Sequence, residues 1–579
     1  MDFALLKSSK QDSGGLSTAA AIYELARIRM LKLTNGYHLR NFEFLLRFVT
    51  AEYGDLLNAA ETDFAERFAA LSMPARSLWV RMAMRRGPWF RADRLLYADV
   101  PDTEAALLEL CLAGFACHAG TAAPVELLEQ FSRHELEHGR LHLPRMRTKA
   151  DLVQTLVEAG LTPARLGLTT PLVRCLEMDH LQVLRLLFFG NLRQDLTDFV
   201  LSELGIMRYE PYALTGRGHF ESRLVVEELL AVEAWALRVD KLLERADPLE
   251  LAEMGEELGA WSCGAQARRR RDDLMLRIAR DLERLAAPEA ALRLYCRTER
   301  ASARERRTRL LYALGRRAEV VRECQAMLDA PVNEAEALFA ARFSTRVLRG
   351  ATSDLFEAAL LRCAKPLVRR HRRKYDQRKL RLHKTDERVE ERVRVWYETQ
   401  GNRAFFVENA LFPGLFGLAF WDIVFSELPG VFFHPFQLGP ADLFTTEFRG
   451  QRADPIAERL AELRRDNTWR ERVLFHYETR VGIACPFVDW RTLTPELLRL
   501  ALERIPGVQV AQVCERILDD PAANRSGFPD LVVFPEASGY RLVEVKGPGD
   551  ALQNNQKRWL QAFLDWEIPA SVVDVSWQK

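Results

Sequence analysis

The sequence predicts a multidomain, mainly α-helical chain that closes on an α/β domain. Its 579 residues are more than one hydrophobic core organises and suggest three or four domains. Residues 226–350 are almost wholly helix formers, rich in Ala, Leu, Arg and Glu. Near the end stand two short apolar, β-branched runs, Gly527-Phe-Pro-Asp-Leu-Val-Val-Phe534 and Tyr540-Arg-Leu-Val-Glu-Val-Lys546, separated by Pro535-Glu-Ala-Ser-Gly539. A five-residue turn carrying Pro and Gly between such runs is a hairpin signal.

Composition narrows the function classes. Lys and Arg total 82 against 81 Asp and Glu, so any attraction to a polyanion must come from local clustering. Nine scattered cysteines with no Cys-x-x-Cys pair argue for a reducing compartment and against a zinc module or disulfide framework. The first ten residues lack the basic start and apolar run of a signal peptide. The most apolar window, 410–425, contains Trp421-Asp422 and is shorter than the roughly 20 residues of a membrane span. It reads as a buried, mostly helical segment under the final domain's sheet.

Residues 16–110 are helical by period. Phe42, Leu45, Leu46 and Val49 form one apolar stripe, and Leu78, Val80 and Met82 belong to a second element. Arg76, Arg81, Arg85, Arg86 and Arg91 crowd that second element and its exit, with Trp79 and Trp89 among them. This fits a solvated basic face and contact with a nucleic-acid backbone about equally well.

His134-Glu-Leu-Glu-His138 matches the zinc-peptidase pattern His-Glu-x-x-His, with Glu158 twenty residues beyond His138 as a possible third ligand. Gly139 should stop the helix straight after the second histidine, about two turns from a Ser132 cap, which supports a rigid ligand pair poorly. The flanks, Leu127 to Leu136 and Thr148-Lys-Ala-Asp-Leu-Val-Gln-Thr-Leu156, resemble a SAP-type helix-loop-helix. Lys149 would then meet DNA phosphate near a helix amino terminus. From 165 to 225 the pattern suggests helix, extended chain, and a connecting loop at Thr215-Gly-Arg-Gly-His219. Within 226–350, Leu310-Leu-Tyr-Ala-Leu-Gly-Arg-Arg-Ala-Glu-Val-Val321 resembles a TPR helical hairpin and predicts a scaffold. The arginines at 268–271, and Arg304, Arg306, Arg307 and Arg309, could form solvated faces with neighbouring acids.

The densest charge lies at 369–384, nine Lys or Arg against Asp376. It predicts strong, salt-dependent attraction for phosphates, with Arg372, Arg373 and Lys374 as contacts, on what reads as a flexible basic linker.

In the terminal hairpin, closing the turn on Phe534 and Tyr540 puts Asp530 opposite Glu544, with Cβ atoms roughly 4.5–5.5 Å apart. Two such carboxylates can grip one small cation. Lys546 shares their face. After Gly547-Pro-Gly-Asp550, with Asp550 placed to cap it, a helix buries Leu552, Trp559, Leu560 and Phe563, and Gln556 sits on that apolar stripe. Strand-end carboxylates with a nearby Lys often mark sites, while the plainer alternative is a solvated Glu/Lys pair.

Pro-Asp, a gap and Glu-Val-Lys resemble the PD-(D/E)XK nucleases. The form Gly-Phe-Pro-Asp-Leu-Val-Val-Phe with Leu-Val-Glu-Val-Lys-Gly-Pro-Gly-Asp is similar to their VRR-NUC branch. Val407-Glu-Asn-Ala-Leu-Phe-Pro-Gly to Phe425, together with Tyr37-His-Leu-Arg-Asn-Phe42 and Ala83-Met-Arg-Arg-Gly-Pro-Trp-Phe90, resembles the Fanconi-associated nuclease family, bacterial type. That resemblance implies a helical N-terminal DNA-binding domain (1–122), a SAP-like region (123–165), a connecting segment (166–225), a TPR-like scaffold (226–365), the basic linker (366–394) and a VRR-NUC domain with a mixed sheet (395–579). It implies Mg²⁺ or Mn²⁺, one or two ions, held by Glu408, Asp530, Glu544 and the Val545 carbonyl. Lys546 and Gln556 would act on water or phosphate, and Arg525 would hold a neighbouring phosphate.

The implied activity is a structure-selective DNA endonuclease cutting 5′ flaps and branched DNA, with 5′-to-3′ exonuclease activity, in interstrand crosslink repair. Its place would be the bacterial cytoplasm at the nucleoid, or the nucleus of a eukaryote. No cysteine precedes Cys111, so the amino-terminal ubiquitin-binding zinc finger of animal members is not expected. Asn555 stands where a lysine that grasps a substrate 5′ phosphate is expected, which puts dependence on that phosphate in question. A non-catalytic branched-DNA scaffold and, more remotely, a zinc peptidase are the rival readings.

Overall fold

The computed structural model describes residues 36–578, apart from 86, 120–121, 139–147, 215–216, 218–219, 246, 299, 350–353, 371–374, 446 and 466. It divides into two units, one formed mainly by the chain up to 226 and including Phe433–Phe436, the other by the remainder.

In the first unit, the stripe Phe42, Leu45, Leu46 and Val49 lies buried along the helix Tyr37–Tyr53. The next helices start where the sequence supplies caps. Asn58 and Glu61 form a capping box before Ala59–Ala70, and Ser72 caps Met73–Ala83, with a proline in its first turn. Trp79 is fully buried, packed edge-on against Phe42, Phe68 and Phe115. Aromatic surface this enclosed is core, so the nucleic-acid reading of this arginine-rich element loses its tryptophans.

Four of the five arginines there are also engaged, and Arg86 lies outside the described residues. Arg76 pairs with Glu43 at 2.6 Å, Arg81 with Asp99 at 2.7 Å and Arg91 with Asp93 and Glu135 at 2.6 Å, while Arg85 donates to the Tyr97 hydroxyl. Three short strands not anticipated from the sequence, β1 (Trp89–Arg91), β2 (Ala116–His118) and β3 (Leu172–Cys175), form an antiparallel sheet in the order β1-β3-β2. At three or four residues each they carry too little alternation to be read from pattern alone.

In the second unit, eight successive helices run from Arg223–Arg245 to Leu355–Arg370. They bury a continuous core through Leu258, Met275, Ile278, Tyr295, Leu311, Val320, Cys324 and Phe343. Arg304 is buried against Glu336 at 3.0 Å, Arg307 pairs with Glu323 at 2.6 Å, and Arg271 lies on Asp272 at 2.9 Å. These arginines serve the helical stack.

The final five-stranded sheet has the order β4-β8-β7-β6-β5, from β4 (Asp376–His383), β5 (Arg403–Phe406), β6 (Leu531–Phe534), β7 (Arg541–Lys546) and β8 (Ala570–Gln578). β5–β6 and β6–β7 are antiparallel, β7–β8 and β8–β4 parallel, so the sheet is mixed. One face packs Leu531, Val533, Val543, Val545, Val573 and Val575 against Val393 and Tyr397 of the helix Val389–Thr399. The other carries Val532, Phe534 and Leu542 into the larger core, which contains the wholly buried helix Leu411–Ala419. The apolar window 410–425 is thus core helix, as its length predicted.

The segment read as a flexible linker is corrected by β4. Residues 376–383 are an edge strand and residues 389–399 a helix of this layer. Leu380 and Leu382 alternate inward toward the Val393 core while Lys379 and Arg381 face out, and charges on an edge strand also discourage pairing with another chain. No helix among the described residues is long and apolar enough to cross a membrane.

Candidate active site

The hairpin adopts the register read from its turn. Leu531 pairs Val543 and Val532 pairs Leu542, so Asp530 falls opposite Glu544 one step past the ladder. Pro529 has no N–H to extend the pairing. Instead the Val545 N–H donates to Asp530 Oδ2 at 2.8 Å, and the Val407 N–H donates to the Asp530 carbonyl at 2.8 Å. The second bond brings Glu408 beside the carboxylate pair.

Asn409, in the left-handed region at φ 53°, accepts from the Gly527 and Phe528 N–H groups at 2.6 and 3.1 Å and so ties Glu408 to the Gly-Phe-Pro-Asp turn. Gly527 has φ 96°, and a Cβ there would stand 2.9 Å from Asn555 Cβ and 3.0 Å from its backbone. Only glycine lets this turn reach the start of the helix Asn554–Asp565.

Glu544 is 1% exposed. Its Oε1 accepts from Lys546 Nζ at 2.9 Å and from Gln556 Nε2 at 2.6 Å. Its Oε2 is buried without a hydrogen-bond partner among the described residues. Gln556 is held in turn, its Oε1 accepting from the Gln553 N–H at 2.8 Å. The structure thus brings together Asp530, Glu544, Lys546 and Gln556, with Glu408 exposed at the rim.

Asp550 does not cap the helix. Gln553 does, and Asp550 instead closes the turn by accepting from the Gly547 N–H at 3.1 Å, leaving Leu552 ahead of the helix. The two glycines and proline of the turn use more chain than a direct strand-to-helix step.

Burial drives both carboxyls above their ordinary range. For Asp530 it outweighs the Val545 N–H, which pulls the other way, while Glu408 and Glu390 add upward pressure and Lys546 relieves some of it. For Glu544 burial is reinforced by Asp530 and opposed by Lys546. An orphaned buried carboxylate oxygen, a second buried carboxylate opposite and a third acid at the rim suit a hard divalent cation, which takes oxygen ligands and cancels their repulsion. No group of three His, Cys, Asp or Glu side chains among the described residues is already drawn together as a finished metal cage. Asn409 and Glu390 went unnoticed in the sequence. An Asn directly after an acidic candidate, able to take a left-handed turn, was the available signal for the first.

The other expected contacts are spread out. Arg525 is exposed, its guanidinium 4.8 Å from the Phe444 ring centre. Lys149 is the first residue of the helix Lys149–Glu158 and donates to the Glu129 carbonyl at 2.7 Å. Arg372, Arg373 and Lys374 lie outside the described residues, as does most of the loop 215–219. In the His-Glu-x-x-His segment, Glu135 would have to serve as a base. It is occupied by the Ser132 N–H and hydroxyl, both at 2.7 Å, and by Arg91, which together hold its pKa down at about 2. The helix there is described over Arg133–His138.

Fold and site together define a nuclease of the VRR-NUC class, a hydrolase that cleaves DNA. Residues 465–577 match the VRR-NUC domain and residues 36–117 the domain described as FAN1, HTH domain. The chain is 35% identical to the Fanconi-associated nuclease 1 homolog of Pseudomonas aeruginosa over 93% of its own length and 96% of that protein's. It is 27% identical to the homolog of Arabidopsis thaliana, over 92% of this chain and 66% of that one. The solved structure of paFAN1 bound to DNA with a 2-nucleotide 5′ flap and a gap superimposes with a TM-score of 0.85 at 33% identity, covering 95% of this chain and all of that one. The chain belongs to the Fanconi-associated nuclease family.

Proposed function

We propose that the chain cuts 5′-flap and branched DNA by metal-dependent hydrolysis at Asp530, Glu544 and Lys546. The observation that carries this reading is the buried, partnerless Glu544 Oε2 facing a second carboxylate. A solvated Glu/Lys pair or a vestigial site on a DNA-binding scaffold gives no reason to keep such a cost. Likeness to a relative solved on 5′-flap DNA supports the substrate. Exonuclease action from the 5′ end and a part in crosslink repair, at the nucleoid or nucleus, belong to the same proposal and are supported by likeness to the Fanconi-associated nuclease homologs.

Glu408, Asp530, Glu544 and the Val545 carbonyl would hold Mg²⁺ or Mn²⁺. A bound divalent ion lowers the pKa of its water and neutralises charge on the scissile phosphate. Gln556, clamped between Glu544 and Gln553, fixes the orientation of Glu544 and keeps the site's hydrogen bonds in place. Lys546, 13% exposed, holds its ammonium on Glu544 Oε1, where it can orient water and meet negative charge developing on phosphorus.

Incubating the protein and Asp530→Ala with a labelled 5′ flap in Mg²⁺, Mn²⁺ or EDTA tests the reading. Divalent-dependent cutting near the junction, lost in the variant, is expected. Cutting by Asp530→Ala, or none by either protein, overturns it.

A further inference from the structure

The face of the sheet that carries Glu544 and Lys546 continues across β8 to the edge strand β4. Lys546 pairs Asp574, and Asp574 pairs Lys379, so these three side chains project from one row. One step further along, Ser576 pairs Arg381, and then Gln578 pairs His383. Lys379, Arg381, His383, Ser576 and Gln578 are all exposed, and Asp574 is half-buried. The active-site face therefore continues, two strands away, onto an exposed polar shelf.

The shelf's cations differ from most others described in the fold. Arg378, on the opposite face of the same strand, pairs with Asp376, and Arg394 in the adjoining helix lies between Glu391 and Glu398. Lys379 and Arg381 have no such partner among the described residues, and Asp574 between Lys546 and Lys379 closes no ion pair with either.

We propose that Lys379 and Arg381 hold the phosphodiester backbone of the duplex arm next to the scissile bond. Resting on the nuclease reading of the site, this assigns residues to a part of the substrate's path. Neighbouring strands lie about 4.8 Å apart, so Lys379 stands about 10 Å from Lys546, and Arg381 is a further 6–7 Å along β4. Because a strand winds round the duplex, its successive phosphates stand about 6–7 Å apart through space, more than the roughly 3.4 Å of axial rise, so 10 Å corresponds to roughly one or two phosphates from the one being cut. Sequence-tolerant single-strand binding relies on aromatic platforms as well as cations. The row contains no Phe, Tyr or Trp, since Trp577 faces the other way. Its chemistry is that of a backbone cradle for a duplex.

The test is the double variant Lys379→Gln/Arg381→Gln, with Lys379→Arg/Arg381→Lys as the charge-preserving control. Flap binding is measured over a salt series without divalent ions, which needs no cutting and so separates this proposal from the nuclease reading. The slope of log affinity against log salt should fall by about 1.8 in the neutral variant, two duplex phosphates at about 0.9 each, and recover in the control. Half-maximal cutting should need more DNA in the neutral variant and return to the wild-type concentration in the charge-preserving control. Methylphosphonates placed about one or two nucleotides from the scissile bond should weaken wild-type binding and leave the neutral variant unaffected. An unchanged slope, an equal methylphosphonate penalty in both proteins, or an equal affinity loss on single-stranded DNA overturns the assignment.

Discussion

Glu544→Gln separates what the site costs the fold from what it gives the reaction. Without metal, Glu544 is a buried acid with one oxygen unpartnered and Asp530 opposite. Above the ordinary glutamate pKa of about 4.3 the unfolded chain releases this proton, whereas burial makes the folded chain keep it. The folded state then binds more protons than the unfolded state, so this group's contribution to stability falls as pH rises beyond the ordinary carboxylate range. Glutamine removes that cost while its Oε1 can still accept from Lys546 and Gln556.

A displaced buried carboxylate costs several kcal/mol, partly offset here by Lys546 and Gln556, which leaves about 3 kcal/mol at pH 8. For a nuclease domain of roughly 200 residues that raises Tm by about 6–12 °C. Calorimetry in EDTA at pH 8 and pH 5 reads it. The variant should melt higher at pH 8, the gap should shrink at pH 5, and Mg²⁺ should stabilise wild type but not the variant, which cuts no DNA. A variant less stable than wild type at pH 8 in EDTA, or a gap independent of pH, refutes the reasoning.

Lys546→Met should lower kcat by roughly 10²–10⁴-fold while flap affinity stays within a few-fold, as single-turnover and binding measurements would show. Glu408→Gln, at the exposed rim, should leave Tm in EDTA unchanged and raise the Mg²⁺ concentration needed for half-maximal cutting by about tenfold or more. Gly527→Ala, strained at φ 96° and pressed on Asn555, should cost about 1–3 kcal/mol in denaturant unfolding and reduce cutting with it. His134→Ala should alter neither cutting nor its metal dependence, because Glu135 beside it is committed to Ser132 and Arg91.

Local sequence determined the elements whose information is local. A turn of fixed length set the register that faces Asp530 with Glu544, because strand side chains repeat every two residues and a slip of one would send Glu544 into the apolar face. The helix period likewise placed Phe42, Leu45, Leu46 and Val49 in a core and Gln556 against the site. Tertiary structure decided what depends on partners distant in sequence. An arginine-rich stretch that could have been DNA surface became ion pairs once Glu43 and Asp99 met it, and Arg304, expected on a solvated face, was buried against Glu336. A basic run that read as linker became an edge strand because β8, almost two hundred residues later, offered it a parallel partner. Glu408 reached the hairpin through one backbone hydrogen bond and the left-handed Asn409. Spacing along a chain fixes which way a side chain points. What it meets there is fixed by burial and by non-local pairing, which sequence spacing alone does not encode.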